Sequence, residues 1–328
     1  MQPVFSPRNA FLLLLALLAF LYASNGVWAL TRPYTPTLRQ LNPQVAPEQE
    51  TVGAVLTPQP HGSFRIMTYN IHHAAGIDGV VDLQRIADVI SAAQPDVVLL
   101  NEVDSHWRRS GFTDQGRMLA ELLSMPYAVA ADTVLRRNPY DAGLFGVARY
   151  GLALLSKFPL SRVEVVPIQS KPGQEPRAAI VAEIRLTDDE HVRIIGTHLG
   201  LDQTTRLENV ELFLTLLQEW EGPSILLGDM NALPQSPELA RLTGMQLLPH
   251  LAVDESEVSP DGTANVLPYR TWVDTADHTA PPTFPSSDPK SRIDFILVTE
   301  DLAERVVNYV TPYSPASDHL PVWVELAF

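Results

Sequence analysis

The chain has 328 residues, 45% of them hydrophobic and 19% charged, a balance that suits a folded globular protein and excludes an extended disordered one. It contains no cysteine, which excludes disulfides and thiolate-ligated zinc or iron–sulfur centres. With 38 acidic against 23 basic side chains, a formal charge of −15, it lacks the basic surplus with which proteins grip polyanions, so a nucleic-acid partner is disfavoured.

At the N-terminus, Arg8 precedes an apolar run from Phe11 to Ala23, and Val27-Trp28-Ala29 offers small or apolar residues at offsets suited to signal-peptidase cleavage. Residues 1–30 therefore read as an export signal. Extended to Leu30, the same segment supplies about 20 residues, enough to cross a bilayer as an uncleaved membrane anchor. Either reading puts the remainder outside the cytoplasm, secreted or membrane-anchored. Residues 31–62 carry Pro33, Pro36, Pro43, Pro47, Pro58 and Pro60 and read as a floppy linker, which leaves 63–328 for one large domain.

Within that domain, short apolar runs with the length and branched-residue content of strands occupy Phe64–Asn70, Asp96–Asn101, Gly151–Ser156, Ala178–Leu186, Val192–His198, Ser224–Gly228, Ile293–Val298 and Val322–Leu326. Helical stripes lie between them. Asp82–Ala93 opens on a capping Asp and repeats apolar residues at Leu83, Ile86, Ala87 and Ile90; Asp114–Met125 and Gln203–Trp220 are similar, and Ser236-Pro237 is a cap followed by a first-turn proline. Many strands with few intervening helices predict an α+β, or layered α/β, domain and not a barrel of strict βα units. A proline-rich loop is expected around Thr279–Pro289.

Six of these segments end in, or are followed at once by, a carboxylate, carboxamide or imidazole: MTYN to Asn70, LLNE to Glu102, GTH to His198, LGDMN to Asp229 and Asn231, RID to Asp294, and SDH to Asp318 and His319. Polar groups at the ends of buried strands are costly unless they satisfy each other or a ligand, so their convergence predicts a site. Oxygen donors without thiolates suit a hard cation, Mg²⁺ above all, with Mn²⁺ or Ca²⁺ compatible. Glu102 leads as metal ligand, supported by Asn70 and Asp318. Two histidines and two further aspartates then supply the acid–base groups and donors that water attack on a phosphoester needs.

The set MTYNIH, LLNEVD, GTHLGLD, LGDMNALP, RIDFILV and SDHLPV resembles, in order, the motifs of the endonuclease/exonuclease/phosphatase superfamily, which includes deoxyribonuclease I, exonuclease III-type enzymes, neutral sphingomyelinases and inositol polyphosphate 5-phosphatases. The resemblance spans about Phe64–Phe328. It implies a deoxyribonuclease I-like, four-layer sandwich of two packed β-sheets flanked by helices, with the site at one rim. It also implies roles: Glu102 the principal metal ligand with Asn70 beside it and Asp318 near the metal; Asp229 orienting or deprotonating the attacking water; Asn231 holding the phosphate. His319, buttressed by Asp294, would bind a phosphoryl oxygen, and His198 would sit opposite it as phosphate ligand or leaving-group acid.

Arg177 reads either as a bidentate phosphate donor or as a solvated surface residue. His72, His73 and His106 flank the motifs without an assigned role, Tyr69 and Trp107 read as packing, and Arg206 and Glu208 as structural residues on an exposed helix face. The acidic balance and the absence of an Arg/Lys-rich, aromatic-interleaved groove favour a small or lipid-headgroup phosphoester over a nuclease substrate, whereas the RIDFILV form of the fifth motif favours a nuclease. A non-catalytic binding module on the same scaffold is the alternative of another class. One core and an acidic surface predict a monomer.

Overall fold

The computed structural model describes residues 35–42, 62–143, 146–186, 190–244 and 270–328; the expected leader and most of the expected linker lie outside the described residues. Among the described residues the strands are, in chain order, β1 (Thr37–Gln40), β2 (Ser63–Asn70), β3 (Val97–Ser105), β4 (Tyr127–Arg136), β5 (Ala148–Ser156), β6 (Leu160–Ile168), β7 (Arg177–Arg185), β8 (His191–His198), β9 (Ser224–Asp229), β10 (Val273–Asp274), β11 (Asp294–Val298), β12 (Val306–Val310) and β13 (Val322–Ala327). They form two sheets, of order β1-β4-β5-β3-β2-β13-β12 and β10-β11-β9-β8-β7-β6. The pairs β2/β3 and β8/β9 are parallel; every other neighbour is antiparallel.

The central strands are largely apolar on both faces because both faces of each sheet are covered there. Ile66 and Leu99 of the first sheet meet Ile180, Ile225 and Ile296 of the second in a shared core. Their alternate neighbours point outward, as the two-residue period of a strand requires. Met67, Val98 and Leu100 pack on Ile86, Ile90 and Leu119, from helices α1 (Leu83–Ala93) and α2 (Gln115–Leu122). Ala179, Leu226 and Phe295 pack on Val210, Phe213 and Leu239, from α3 (Gln203–Gln218) and α4 (Pro237–Leu242). The result is the four-layer, helix–sheet–sheet–helix α+β sandwich. Each fully buried Leu, Ile or Phe contributes on the order of 1.5–3 kcal/mol.

The helix starts lie where the caps predict. Asp82, Asp114, Asp202 and Ser236 each accept a backbone N–H from their own first turn, and Pro237 occupies the first turn of α4. Two expectations are corrected. Thr37–Gln40, assigned to the linker, is a strand: it pairs in register with Gln40 opposite Val129 and Thr37 opposite Asp132, and Leu41 behind it is buried. Arg206, expected on an exposed face, is buried and donates to Glu238 Oε1 at 2.6 Å, joining α3 to α4.

Arg39 explains the first correction. Its guanidinium donates to both oxygens of buried Asp132 at 3.0–3.2 Å and to Asp114 Oδ2 at 2.6 Å. Arg149 also reaches Asp132, at 3.3 Å, so Arg39→Ala leaves a buried carboxylate half-compensated. The expected cost is about 1–3 kcal/mol, below that of a fully orphaned buried charge. Urea unfolding checks it; a change under about 0.5 kcal/mol would show that β1 contributes nothing to the domain.

Candidate active site

The two parallel pairs position the site. Each is joined by a crossover helix, α1 between β2 and β3 and α3 between β8 and β9, so four strands end at one rim. There Asn70 is level with Asn101, His198 with Asp229, and Asp294, opening antiparallel β11, with Asp229. Asn101 Nδ2 donates to the Thr197 carbonyl at 2.8 Å and so locks one sheet's tips to the other's. Gly196 permits the close approach: a Cβ there would lie 2.3 Å from Leu99 Cδ1. Ser317 Oγ donates to the Asn70 carbonyl at 2.7 Å, which brings in the loop carrying Asp318 and His319.

Asn70 Nδ2 donates to Glu102 Oε1 and to Asp229 Oδ2, both at 3.1 Å. Glu102 reaches this point because the β3/β5 register slips between Leu100 and Val103, a bulge at which Glu102 takes φ 61°. A left-handed glutamate costs on the order of 1–3 kcal/mol and persists where surroundings enforce it. The same strain recurs at His72, His73, Ala74 and Asn231, with φ of 45°, 44°, 63° and 47°. Asn231 is held by its backbone N–H on Asp229 Oδ1 at 2.9 Å and by Nδ2 on the Leu199 carbonyl at 2.8 Å, which leaves its second amide hydrogen for a ligand.

The two site histidines sit in opposite electrostatic environments. His319 Nδ1 lies 2.9 Å from Asp294 Oδ2, its Nε2 3.8 Å from Asp229 Oδ2, and Phe284 packs on the ring at 4.7 Å between centroids. Burial opposes its charge, yet the adjacent carboxylates, Asp294 first, raise its pKa to about 10. Burial and the neighbouring Asp294 charge push Asp229 up to about 7. His198 is held neutral, its pKa well below the ordinary value through burial, then Arg177, then His319. Arg177 Nη1 donates to His198 Nδ1 at 2.7 Å; a guanidinium cannot accept, so the ring proton sits on Nε2, 3.4 Å from Asp229 Oδ2. Arg177 is therefore no solvated surface residue: it is largely buried and also pairs with Glu175 at 3.0 Å.

Asn70, Glu102, His198, Asp229, Asn231, Asp294 and His319 thus join one hydrogen-bonded and electrostatic network, with Arg177 behind His198. Asp318 is half-exposed beside it, its Oδ1 3.7 Å from His72 Nδ1. Several neighbours carried no signal in the sequence. The proline-rich loop forms a wall: Phe284 covers His319, and Ser286 donates from Oγ to the Ser317 carbonyl at 2.6 Å. His72 and His73 lie with Glu102, ligating atoms all within 4.8 Å. Tyr69 is fully buried, in keeping with a packing role, and His106 bonds Ser105 Oγ at 2.9 Å.

This donor set fits a hard divalent cation. Carboxylate and carboxamide oxygens dominate it, buried Asp294 Oδ1 lacks a hydrogen-bond partner, and among the described residues the only cationic group facing Asp229 is His319. Glu102 lies where such an ion could be held; Asn70 beside it turns its amide towards Glu102 and accepts the His72 backbone N–H on Oδ1 at 3.1 Å, and Asp318 lies at the rim against His72.

A two-sheet α+β sandwich with acidic and imidazole groups meeting at one rim defines a class of phosphoester hydrolases, generally dependent on divalent metal. A model of the Endonuclease/Exonuclease/phosphatase family matches residues 67–319, and the chain belongs to that family. It is similar to an endonuclease/exonuclease/phosphatase from Beutenbergia cavernae, at 27% identity and TM-score 0.58, covering 81% of this chain and 72% of that one. Its fold also matches the mannosyl-6-phosphatase Bt3783 of Bacteroides thetaiotaomicron (18% identity, TM-score 0.56, 81% and 100% covered). A truncated Caenorhabditis elegans TDP2 is a further match in fold (17%, 0.51, 81% and 98%). None of the curated proteins compared matches the chain.

The Arg177–His198 contact makes a spectroscopic prediction. Imidazole ¹⁵N shifts should show His198 neutral with its proton on Nε2 at neutral pH, while Arg177→Ala should yield mixed tautomers. A cationic ring at neutral pH in the unaltered chain would contradict the assignment.

Proposed function

We propose that the chain is an exported, Mg²⁺-dependent phosphoesterase that cleaves a small or lipid-headgroup phosphoester by in-line attack of water. The observation that carries this reading is the bonding of Asn70 to both Glu102 and Asp229, with Asp229 in turn facing both histidines. A cation held by Glu102, Asn70 and Asp318 would supply charge neutralisation at the phosphoryl oxygens. Asp229, buried and raised towards neutrality, is suited to take the proton of a water aligned by Asn231. His319, cationic beside Asp294, donates from Nε2 to charge developing on the phosphoryl group. His198 offers a fixed Nε2–H from the other side; as a neutral ring it is a donor and not a leaving-group acid.

The apolar run Phe11–Ala23 supports action outside the cytoplasm, released or tethered by that segment. No helix among the described residues is long and apolar enough to cross a membrane. The charge of −15 supports a small or headgroup substrate over extended nucleic acid, and a monomer remains the simplest assembly. A nuclease is the second reading, favoured by the RIDFILV segment, whose Asp294 anchors His319.

Bis-p-nitrophenyl phosphate should be hydrolysed with Mg²⁺ or Mn²⁺, lose turnover on chelation and regain it on metal addition; turnover indifferent to chelator defeats the mechanism. Sphingomyelin, phosphatidylinositol, mannose 6-phosphate and plasmid DNA, assayed in parallel, rank the substrate classes. DNA outpacing the others would favour the nuclease. Asp229→Asn and His319→Ala should each lower kcat/KM by about 10³-fold or more, with a loss under about tenfold rejecting the roles given to them.

A further inference from the structure

His72 and His73 are unused by the hydrolytic scheme, yet they are held beside it under constraint. Three successive left-handed residues, His72 to Ala74, fold the chain back after β2, and Gln115 Nε2 pins the turn by donating to the His73 carbonyl at 2.7 Å. The two rings meet edge to face at 4.4 Å. Both Nδ1 atoms are buried without a hydrogen-bond partner, although each imidazole nitrogen ordinarily donates or accepts. A ligating atom of each ring and one of Glu102 lie within 4.8 Å of one another, and Asp318 adds a carboxylate 3.7 Å from His72 Nδ1. The neighbouring cation, Arg109, is engaged by Asp104 through two bonds of 2.7 and 2.8 Å.

Two imidazoles and a carboxylate are the wrong donors for Mg²⁺, which takes oxygen, and the right ones for a borderline ion such as Zn²⁺. An ion about 2.1 Å from each donor would need the side chains to close by roughly an ångström, within the reach of rotation about their own bonds. We propose that His72, His73 and Glu102 form a site for a borderline divalent cation of the Zn²⁺ class, adjoining the hydrolytic centre around Asn70 and Asp229. The site rests on the phosphoesterase reading in one respect, since it shares Glu102 with the hydrolytic centre.

Zinc-edge X-ray absorption tests it, on detergent-solubilised full chain given one equivalent of Zn²⁺ in excess Mg²⁺. The spectrum should show two imidazole nitrogens with carboxylate oxygen; an all-oxygen shell, or no retained zinc, overturns the proposal without reference to any variant. His72→Asn and His73→Asn should each weaken Zn²⁺ binding at least about tenfold, and the pair about 100-fold, because even outer contacts of metal sites contribute factors of this size. Unchanged affinity also overturns it. Mg²⁺-supported hydrolysis of bis-p-nitrophenyl phosphate is measured separately: its absence beside a nitrogen-containing zinc shell defeats the phosphoesterase reading alone, and its presence beside an all-oxygen shell defeats the zinc site alone.

Discussion

Everything at the site turns on the burial of Asp229 and Asp294 side by side, where β9 ends and antiparallel β11 begins. Two desolvated carboxylates repel each other and lose water, and removing the partner of a buried charge costs about 3–5 kcal/mol. Here the compensation is local and directional: His319 bonds Asp294 and faces Asp229, while Asn70 and the Asn231 backbone donate to Asp229. None of those partners lies on the same strand as either aspartate. The compensation from Asn70 and His319 therefore requires the two sheets to pack in one register, and the Asn101–Thr197 bond and the closeness of Gly196 to Leu99 fix that register beneath it.

Backbone strain concentrates above the same point. Glu102 and Asn231 are left-handed, as are His72 to Ala74, while Gly228 takes φ 142°, where a Cβ would lie 1.9 Å from the Thr197 carbonyl oxygen. A regular strand end would point alternate side chains to opposite faces and could not turn Glu102 towards Asn70. The bulge makes that turn, so the strain and the convergence of the donors have one cause. The core supplies what holds it: strands apolar on both faces tolerate little movement, because interiors are close-packed.

Much of this was legible in the sequence, since the central strands are read from their continuous apolar runs and the polar tips from where those runs stop. The edges were not legible. β1, β6, β10 and β12 are the outer strands of the two sheets, where one side meets solvent and no apolar run is required. β6 alternates exposed Arg162 and Glu164 with buried or half-buried neighbours. β4 was hidden for another reason: Asp132 and Thr133 interrupt it, and the partner that makes Asp132 tolerable is Arg39, in a stretch that composition assigns to a linker. The closeness of His72 and His73 to Glu102 was equally hidden, because it depends on dihedral angles that no spacing rule anticipates.

The fate of the two histidines shows how neighbours decide chemistry that residue type leaves open. By residue type alone His198 and His319 are the same imidazole, one ending a strand and one in the loop before β13. In the fold one bonds a carboxylate and the other a guanidinium, and a guanidinium has no lone pair to offer. His198 could become a base at Nε2 only by moving its proton to Nδ1, which Arg177 blocks, and could become an acid only by charging against Arg177 and His319. Both routes require the Arg177 contact to break first. Under the proposed hydrolysis a phosphoryl group between the rings would meet a cation on one side and a neutral donor on the other, so proton removal falls to Asp229, the buried group held nearest neutrality.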